Sequence, residues 1–360
     1  MDFSIDDTML EFDPFGTPTF TGLISLLDFI KKNDFAGYLE DNFQLANDVL
    51  VSRNGIAYLI GGHHSVLEFV TGKNKPPVES VLNFWDNIKR RNAFSGQKNI
   101  EYSHVIFPDK QSVLDYEFPI RPLYRLGEHY FRNVDDDLKN KVIYPINELK
   151  ELGNAYLPLD THLSDFGSLK VLELLLKSVG INATDTVKHI SSCINKKQKW
   201  AGDLGGKLTP KMYQEGMILN PDWRYEQFKS PGGFNDGMVD IIISPDALLN
   251  ETILLFGDSF FRMMLKHFSA IFKKVICLRT RFYHKEMIEL VKPGYIFTGN
   301  AERYLSNVTS DKEAHAFSLY SYLRNEAPAE RDNNFIRAFR AFTSPESDFS
   351  KNYFLSKDVK

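Results

Sequence analysis

The sequence predicts an α/β fold built around a mainly parallel sheet. Three times along the chain, a short apolar stretch leads into a polar turn and then a helical pattern, at 105–112, 155–179 and 253–272. Strands that alternate with helices in this way form parallel sheets, whose functional groups lie beyond the carboxyl ends of the strands. We therefore expect a three-layer sandwich with its chemistry at one edge of the sheet.

Length and composition exclude several classes of protein. The chain has 360 residues, a net charge of −4 and only two cysteines, Cys193 and Cys277. This charge argues against nucleic-acid binding, and two cysteines cannot form a disulfide framework. Residues 1–7 lack the pattern of a signal peptide, and no apolar run is long enough to span a membrane. A cytoplasmic protein is predicted, or a periplasmic one if a leader has been removed.

Hydrophobic periodicity predicts the individual elements in chain order. Apolar residues recur at helical spacing in seven stretches, at 21–33, 81–92, 142–152, 169–179, 260–272, 284–291 and 334–342. Short apolar runs bounded by turn residues predict strands at 55–60, 102–107, 155–159, 238–243, 253–256, 275–278 and 295–298. In the second helix, Leu82, Trp85 and Ile88 are predicted to face inward. Prolines at 119 and 122 predict an irregular connection there.

Two segments interrupt this alternation. Residues 181–250 contain glycine-rich loops, so we interpret them as an insertion over the sheet within a single domain that spans 1–360. Residues 311–360 are polar and aromatic, and we expect a C-terminal tail that packs on the domain. No metal site is predicted. The adjacent His63 and His64 point to opposite sides of an extended chain, which favours a pair of loop histidines.

The turn at 257–259, with sequence Gly-Asp-Ser, carries a candidate nucleophile. Ser259 stands between a predicted strand and a helix N-terminus, where backbone N–H groups favour a developing negative charge. A serine hydroxyl also needs an imidazole base, and the imidazole needs a carboxylate. His162 and Asp160 supply both, and Asn300 is a candidate oxyanion donor beside the Ser259 N–H. A turn cap, a loop histidine and a left-handed backbone position are the structural alternatives for Asp160, His162 and Asn300.

Several sequence blocks resemble a known superfamily. The residues Gly-Asp-Ser-Phe at 257–260 resemble the first block of SGNH (GDSL-type) hydrolases. Asp-Thr-His at 160–162 precedes the serine, and this permuted order resembles the SGNH-like domain of the alginate O-acetyltransferase family. Phe-Pro-Asp-Lys at 107–110, Gly-Asp-Leu-Gly at 202–205 and the segment 292–305 also fit that family. The resemblance covers roughly residues 50–305.

The resemblance implies a flavodoxin-like, three-layer α/β fold and assigns roles to residues. Ser259 is implied as the nucleophile, His162 as general base and then acid, and Asp160 as the group that orients the imidazole. Gly205 joins Ser259 and Asn300 among the candidates for the oxyanion hole.

The sequence also departs from the family pattern. Leu163 stands where the family has tryptophan, which puts an aromatic sugar platform there in doubt. Arg279 and Arg281 are candidates for binding an anionic sugar or acyl donor, with surface solvation as the alternative.

The predicted function is O-acetyl transfer to a polysaccharide or sugar precursor through an acyl-enzyme intermediate. One alternative is a carbohydrate esterase or deacetylase with the same triad, in which water replaces the sugar. Another is a catalytically silent glycan-binding subunit. No cofactor is required by this chemistry, and acetyl-CoA is one candidate acyl donor. The expected partners are a carbohydrate acceptor and an acyl donor, with other polysaccharide-biosynthesis proteins as further candidates.

Overall fold

The fold was analysed in a computed structural model. The structure describes residues 10–12, 18–20, 43–46, 48–52, 54–118, 123–132, 134, 136–231, 236–323 and 332–358. The helix predicted at 21–33 and the prolines at 119 and 122 lie outside the described residues. Within the described part, none of the helices combines the length and the hydropathy that crossing a membrane requires.

Strands and helices alternate through most of the described chain. The strands are β1 (Leu10–Phe12), β2 (Pro18–Phe20), β3 (Phe43–Ala46), β4 (Val49–Ser52), β5 (Ala57–Leu59), β6 (Glu101–Phe107), β7 (Val142–Ile143), β8 (Ile194–Trp200), β9 (Gln214–Leu219), β10 (Glu226–Lys229), β11 (Val239–Ile243), β12 (Leu249–Gly257), β13 (Phe272–Arg279) and β14 (Tyr295–Ala301). The α-helices are α1 (Val66–Val70), α2 (Val78–Gln97), α3 (Lys110–Val113), α4 (Leu126–Tyr130), α5 (Asp136–Lys139), α6 (Ile146–Leu152), α7 (Asp165–Ser178), α8 (Thr184–Ser192), α9 (Gly202–Gly205), α10 (Ser259–Met263), α11 (Leu265–Ile271), α12 (Lys285–Val291), α13 (Tyr320–Leu323), α14 (Asn333–Thr343) and α15 (Asp348–Asp358).

A seven-stranded sheet organises the molecule, in the order β10-β11-β13-β12-β14-β6-β7. The strands from β13 to β7 are parallel, whereas β11 and β10 extend one edge with antiparallel pairing. At the carboxyl end of β12, Gly257 is paired with Arg279 on one side and Gly299 on the other. The predicted α/β fold with a mainly parallel sheet is therefore confirmed.

Helices cover both faces of this sheet, because its central strands are apolar on both sides. Along β12, Ile253 and Leu255 pack in a core cluster with residues of α7 and α11. The alternating residues Leu254 and Phe256 pack in a second cluster with residues of α12 and α14. This alternation is the period of two that a strand imposes on its side chains.

Three predicted elements differ from the structure. The segment 155–159 is not a strand of the sheet, because its polar groups bond elsewhere: the Pro158 carbonyl accepts from the Ala57 N–H at 2.8 Å. The predicted helix at 142–152 begins as β7, and the predicted helix at 260–272 divides at Met264 into α10 and α11. Leu82 is 65% exposed rather than inward, whereas Trp85 and Ile88 are buried as predicted.

The segment 181–250, predicted as an insertion over the sheet, belongs in part to the sheet itself. It contains α8, the hairpin β8–β9 with α9 at its tip, and then β10 and β11. The last two strands belong to the central sheet, because the buried β11 pairs directly with β13. In the predicted C-terminal tail, the helix at 334–342 corresponds to α14, and α15 was missed. Both helices contribute to the core cluster that contains Leu254.

Candidate active site

The candidate nucleophile lies at the carboxyl edge of the sheet, where β12 ends and α10 begins. Asp258 precedes Ser259 and caps this helix, since its Oδ1 accepts the Phe260 N–H at 2.9 Å. Its second oxygen, Oδ2, accepts the Ala301 N–H at the end of β14 at 2.8 Å. One carboxylate thus joins the helix start to a neighbouring strand and fixes the position of Ser259.

Gly257 is required at the end of β12 by close packing. A Cβ atom added there would lie 2.3 Å from the Gly299 carbonyl oxygen and 2.6 Å from the ring of Phe261. Contacts this short are not tolerated between nonbonded atoms, so a side chain would push the turn away from β14. The glycine of the Gly-Asp-Ser sequence therefore allows the turn to sit directly against the next strand.

The structure brings His162 and Asp160 to this serine. His162 Nε2 lies 2.7 Å from Ser259 Oγ, and His162 Nδ1 lies 2.7 Å from Asp160 Oδ1. Asp160 Oδ1 also accepts the backbone N–H of His162 at 3.0 Å. With the Nδ1 proton directed at the carboxylate, Nε2 is left to accept the serine proton. Ser259 is partly exposed, so the end of this chain of hydrogen bonds is open to solvent.

The electrostatic environment keeps the Asp160 carboxylate ionised. Burial opposes its ionisation, but the hydrogen bond and the charge of His162 outweigh burial and lower the Asp160 pKa. An ionised carboxylate at this place holds one imidazole tautomer and stabilises the imidazolium that forms when His162 takes a proton. An imidazole therefore lies between a carboxylate and a hydroxyl, in the order that activation of the hydroxyl by a general base requires.

A second carboxylate supports the loop that carries His162. Asp203, in α9, accepts the Thr161 N–H at 2.7 Å and also the Thr161 hydroxyl. Its own N–H donates to Asp160 Oδ2 at 3.3 Å. Burial and the charge of Asp160 raise the Asp203 pKa. The block at 202–205 resembles the family pattern, but this resemblance did not predict that Asp203 contacts the loop that carries His162.

Lys110 holds the segment that leads into Asp160 through two hydrogen bonds to backbone carbonyl groups. Its ammonium group is buried and donates to the carbonyl oxygens of Ala57 and Pro158, both at 2.8 Å. Burial lowers the Lys110 pKa to about 7, even though the charges of Asp203 and Asp160 act in the opposite direction. Lys110 therefore joins β5 to the segment that leads into Asp160. The sequence marked this lysine only as part of a family-like block.

The opposite wall of the site contains a buried ion pair. Arg303 is paired with Asp109, and its guanidinium lies 5.8 Å from the centre of the Phe260 ring. Phe260 also packs against His162, with ring centroids 5.0 Å apart. Glu302 is buried beside this pair and accepts the Asp109 N–H at 3.0 Å. These groups hold the Phe260 ring against which the imidazole packs, and no local sequence pattern predicts this role for them.

The three candidates for the oxyanion hole differ in what the structure allows. The Phe260 N–H is bonded to Asp258, whereas the Ser259 N–H is at the start of α10 and has no intrahelical acceptor. The Gly205 N–H donates to the Leu159 carbonyl at 3.1 Å, so this amide is already bonded. Asn300 lies within β14 and not beyond it, and it lines a cavity to which neither Ser259 nor His162 contributes among the described residues. Of the three candidates, the Ser259 N–H is therefore the donor that stays available to an oxyanion beside Ser259 Oγ.

The two arginines that are candidates for binding substrate differ in position and in exposure. Arg279 is half-buried at the end of β13, next to the strand that delivers Ser259. Arg281 is exposed, and it lines the same cavity as Asn300. Leu163, at the position of the family's tryptophan, is 3% exposed and packs in the core. It therefore offers no surface to a sugar ring.

The histidine pair lies in a turn, and His64 has a close polar partner. His64 Nδ1 lies 3.0 Å from Ser306 Oγ, and its ring packs against Tyr304 at 4.4 Å. Burial, followed by the charges of Arg303 and Arg281, lowers the His64 pKa to about 4. This histidine is therefore neutral at neutral pH.

Known structures share this fold, although the sequence matches no protein-family model and no curated protein. A structure of Bacillus cereus PatB1 with a sulfonyl adduct has a TM-score of 0.53 and 12% identity, with 73% of this chain and 97% of that chain covered. A second PatB1 structure has a TM-score of 0.51 and 13% identity, over 74% and 97% of the two chains. The O-acetyltransferase domain of Pseudomonas putida AlgJ has a TM-score of 0.44 and 13% identity, over 78% and 99%. At these identities the PatB1 structures show the fold alone, and that fold agrees with the SGNH-like resemblance of the sequence.

Proposed function

We propose that this chain is an SGNH-like O-acetyltransferase that acts on a polysaccharide or a sugar precursor. The observation that supports the proposal most strongly is the pair of 2.7 Å contacts that join Ser259, His162 and Asp160. Such a chain of hydrogen bonds serves to activate a hydroxyl for attack on an acyl group. The family-like order of the sequence blocks makes a sugar hydroxyl the preferred acceptor.

The proposed reaction has two steps that use the same three side chains. Ser259 Oγ attacks the acetyl carbonyl while His162 Nε2 takes the serine proton, and the Ser259 N–H stabilises the oxyanion. His162 then gives the proton to the leaving group, which leaves an acetyl-serine. In the second step, His162 removes a proton from the acceptor hydroxyl, and the acceptor oxygen attacks the acetyl carbonyl. His162 then returns the proton to Ser259 Oγ as the bond between this oxygen and the acetyl group breaks. No cofactor takes part, because the acetyl donor already carries an activated carbonyl.

The nucleophile is tested by covalent labelling and kinetics. A sulfonyl fluoride should modify Ser259, as located by peptide mass spectrometry, and should abolish release of nitrophenol from p-nitrophenyl acetate. Ser259→Ala should lower that rate by about 10³-fold or more. Ser356→Ala, in the remote helix α15, is the matched control and should behave as wild type. Normal turnover in the Ser259 variant would refute the acyl-enzyme mechanism.

The choice between transferase and esterase is tested by adding an acceptor. Uronic-acid and neutral oligosaccharides are added with either p-nitrophenyl acetate or acetyl-CoA as donor. A transferase should form acetylated sugar at the expense of free acetate as the acceptor concentration rises. Acetate release that is independent of every acceptor would identify the esterase instead. Glycan binding without labelling of Ser259 would identify a silent binding subunit.

A further inference from the structure

A separate cluster of potential metal ligands lies at the base of the β8–β9 hairpin. His189 and Cys193 are one helical turn apart at the end of α8, and Asp222 comes from the loop that follows β9. The three ligand atoms lie within 4.8 Å of one another. His189 Nε2 is 2.8 Å from Asp222 Oδ1 and 4.0 Å from Cys193 Sγ. None of the three belongs to the triad or to the groups that support it.

We propose that His189, Cys193 and Asp222 bind a zinc-type divalent transition-metal ion. Zinc takes thiolate, imidazole and carboxylate ligands at about 2.0–2.3 Å in a tetrahedral arrangement, which keeps ligand atoms roughly 3.3–3.6 Å apart. The two separations given above lie on either side of this range. Small side-chain rotations that bring Cys193 and Asp222 to either side of the ion would therefore complete the arrangement. The fourth position is open to water.

The surroundings of the three ligands favour entry of an ion. The side chains of His189 and Asp222 are 51% and 62% exposed, so an ion reaches them directly from solvent. Cys193 is 4% exposed and forms the inner wall of the site. A soft thiolate beside an imidazole selects zinc and its neighbours over magnesium or calcium, which prefer oxygen ligands. The chemistry of the donor set thus defines the class of metal.

Binding at this site is coupled to the loss of a proton. A cysteine binds zinc as its thiolate, whereas the free side chain is a thiol. When the metal binds, the S–H bond breaks, a sulfur–metal bond forms and the proton goes to solvent. The affinity for the ion should therefore increase as the pH rises.

The ion would join two pieces of chain at the base of one hairpin. The Asn220 N–H already donates to the Cys193 carbonyl at 2.8 Å, so the two ends of the hairpin are close. The metal adds a bond between the end of α8 and the loop after β9. The same hairpin carries α9, whose Asp203 holds the triad loop. The ion would thus link the end of α8 to the loop after β9, and the proposal does not depend on acyl transfer.

Cobalt binding gives the direct test. The full chain is dialysed against a chelator and titrated with Co²⁺ while the absorbance is followed. We expect a thiolate-to-cobalt charge-transfer band and tetrahedral d–d bands that saturate at one equivalent and disappear when Zn²⁺ is added. Cys193→Ser should lose the charge-transfer band. Cys277→Ser, the matched control in buried strand β13, should retain it. No band in wild type, or a band that survives Cys193→Ser, overturns the proposal.

Two further variants keep the test decisive if Cys193→Ser folds poorly. His189→Asn and Asp222→Asn change side chains that are half-exposed, so circular dichroism should show an unchanged fold. Each should weaken Co²⁺ binding by at least about tenfold. His63→Asn replaces an exposed histidine outside the cluster and should leave the affinity unchanged. Equal Co²⁺ affinities in wild type and both ligand variants would mean that these side chains do not bind the ion.

Discussion

The two sides of the candidate active site are held by different kinds of structure. Ser259 follows β12, a strand that is paired on both sides in the middle of the sheet. His162 follows a segment that belongs to no sheet strand and depends on side-chain contacts from elsewhere. Backbone pairing along β12 and the Asp258 carboxylate together hold Ser259. The segment that carries His162 is held by contacts from Asp203 and Lys110. Substitutions of Asp203 and Lys110 should therefore move His162 and leave Ser259 in place.

Among substitutions of the groups that hold Ser259 and His162, Asp160→Asn is expected to lower activity the most. The amide cannot hold His162 in the tautomer that leaves Nε2 free, because its NH₂ group does not accept the Nδ1 proton. We expect kcat/KM for p-nitrophenyl acetate to fall by about 10³–10⁴-fold. Labelling of Ser259 should slow in parallel, while the thermal midpoint should change little. Activity within about tenfold of wild type would show that Asp160 does not orient the base.

Gly257→Ala tests whether close packing holds the turn that carries Ser259. The added methyl group meets the Gly299 carbonyl and the Phe261 ring, so β12 and β14 must separate. We expect a loss of about 3 kcal/mol in the free energy of unfolding, measured with urea. Gly96→Ala lies near the end of α2, where the new Cβ would meet no described atom within 4 Å beyond its chain neighbours and the helix's own backbone, so this variant should be neutral or slightly stabilising. Similar stabilities for the two variants would show that this turn is not sterically constrained.

Asp203→Ala tests how the loop that carries His162 is held, without replacing Ser259, His162 or Asp160. The variant removes the acceptor of the Thr161 N–H and hydroxyl, so the loop that carries His162 should lose its fixed position. We expect kcat to fall by about 10–100-fold. Asp86→Asn, on the exposed face of α2, is the control and should keep full activity. If Asp203→Ala is as active as this control, the hairpin does not position the base.

Lys110→Met gives the smallest effect and a characteristic pH dependence. The folded-state pKa of about 7 lies below the usual value of a lysine, because burial disfavours the charged form. Between pH 7 and pH 10 the unfolded chain therefore binds more protons at this residue, and stability rises with pH. The stability of wild type relative to Lys110→Met should grow by about 1 kcal/mol per pH unit from pH 7 to pH 9. Lys196→Met, at an exposed lysine, should show no such trend.

The sequence was sufficient for the part of the site that depends on local pattern. An apolar strand, a Gly-Asp-Ser turn and a helix at 253–272 predicted both the element order and the place of Ser259 at the sheet edge. The pairing of Asp160 with His162 also follows from their proximity in the chain. By contrast, Asn300 was expected after a strand and lies within one, because β14 continues in register with β6 as far as Ala301.

Only the tertiary structure decided which distant groups complete the site. The segment 155–159 has the composition of a strand, yet its backbone hydrogen-bonds to Lys110, Gln214 and the Ala57 N–H instead of to another strand of the sheet. All three partners lie far from this segment in the sequence. His189, Cys193 and Asp222 likewise meet only because the β8–β9 hairpin closes. Periodicity and turn residues report the interactions of neighbours along the chain, and these were enough to predict the sheet and the position of Ser259 at its edge. Hydrogen-bond partners that lie far apart in sequence leave no local pattern, so the folded chain alone determined how the base is held.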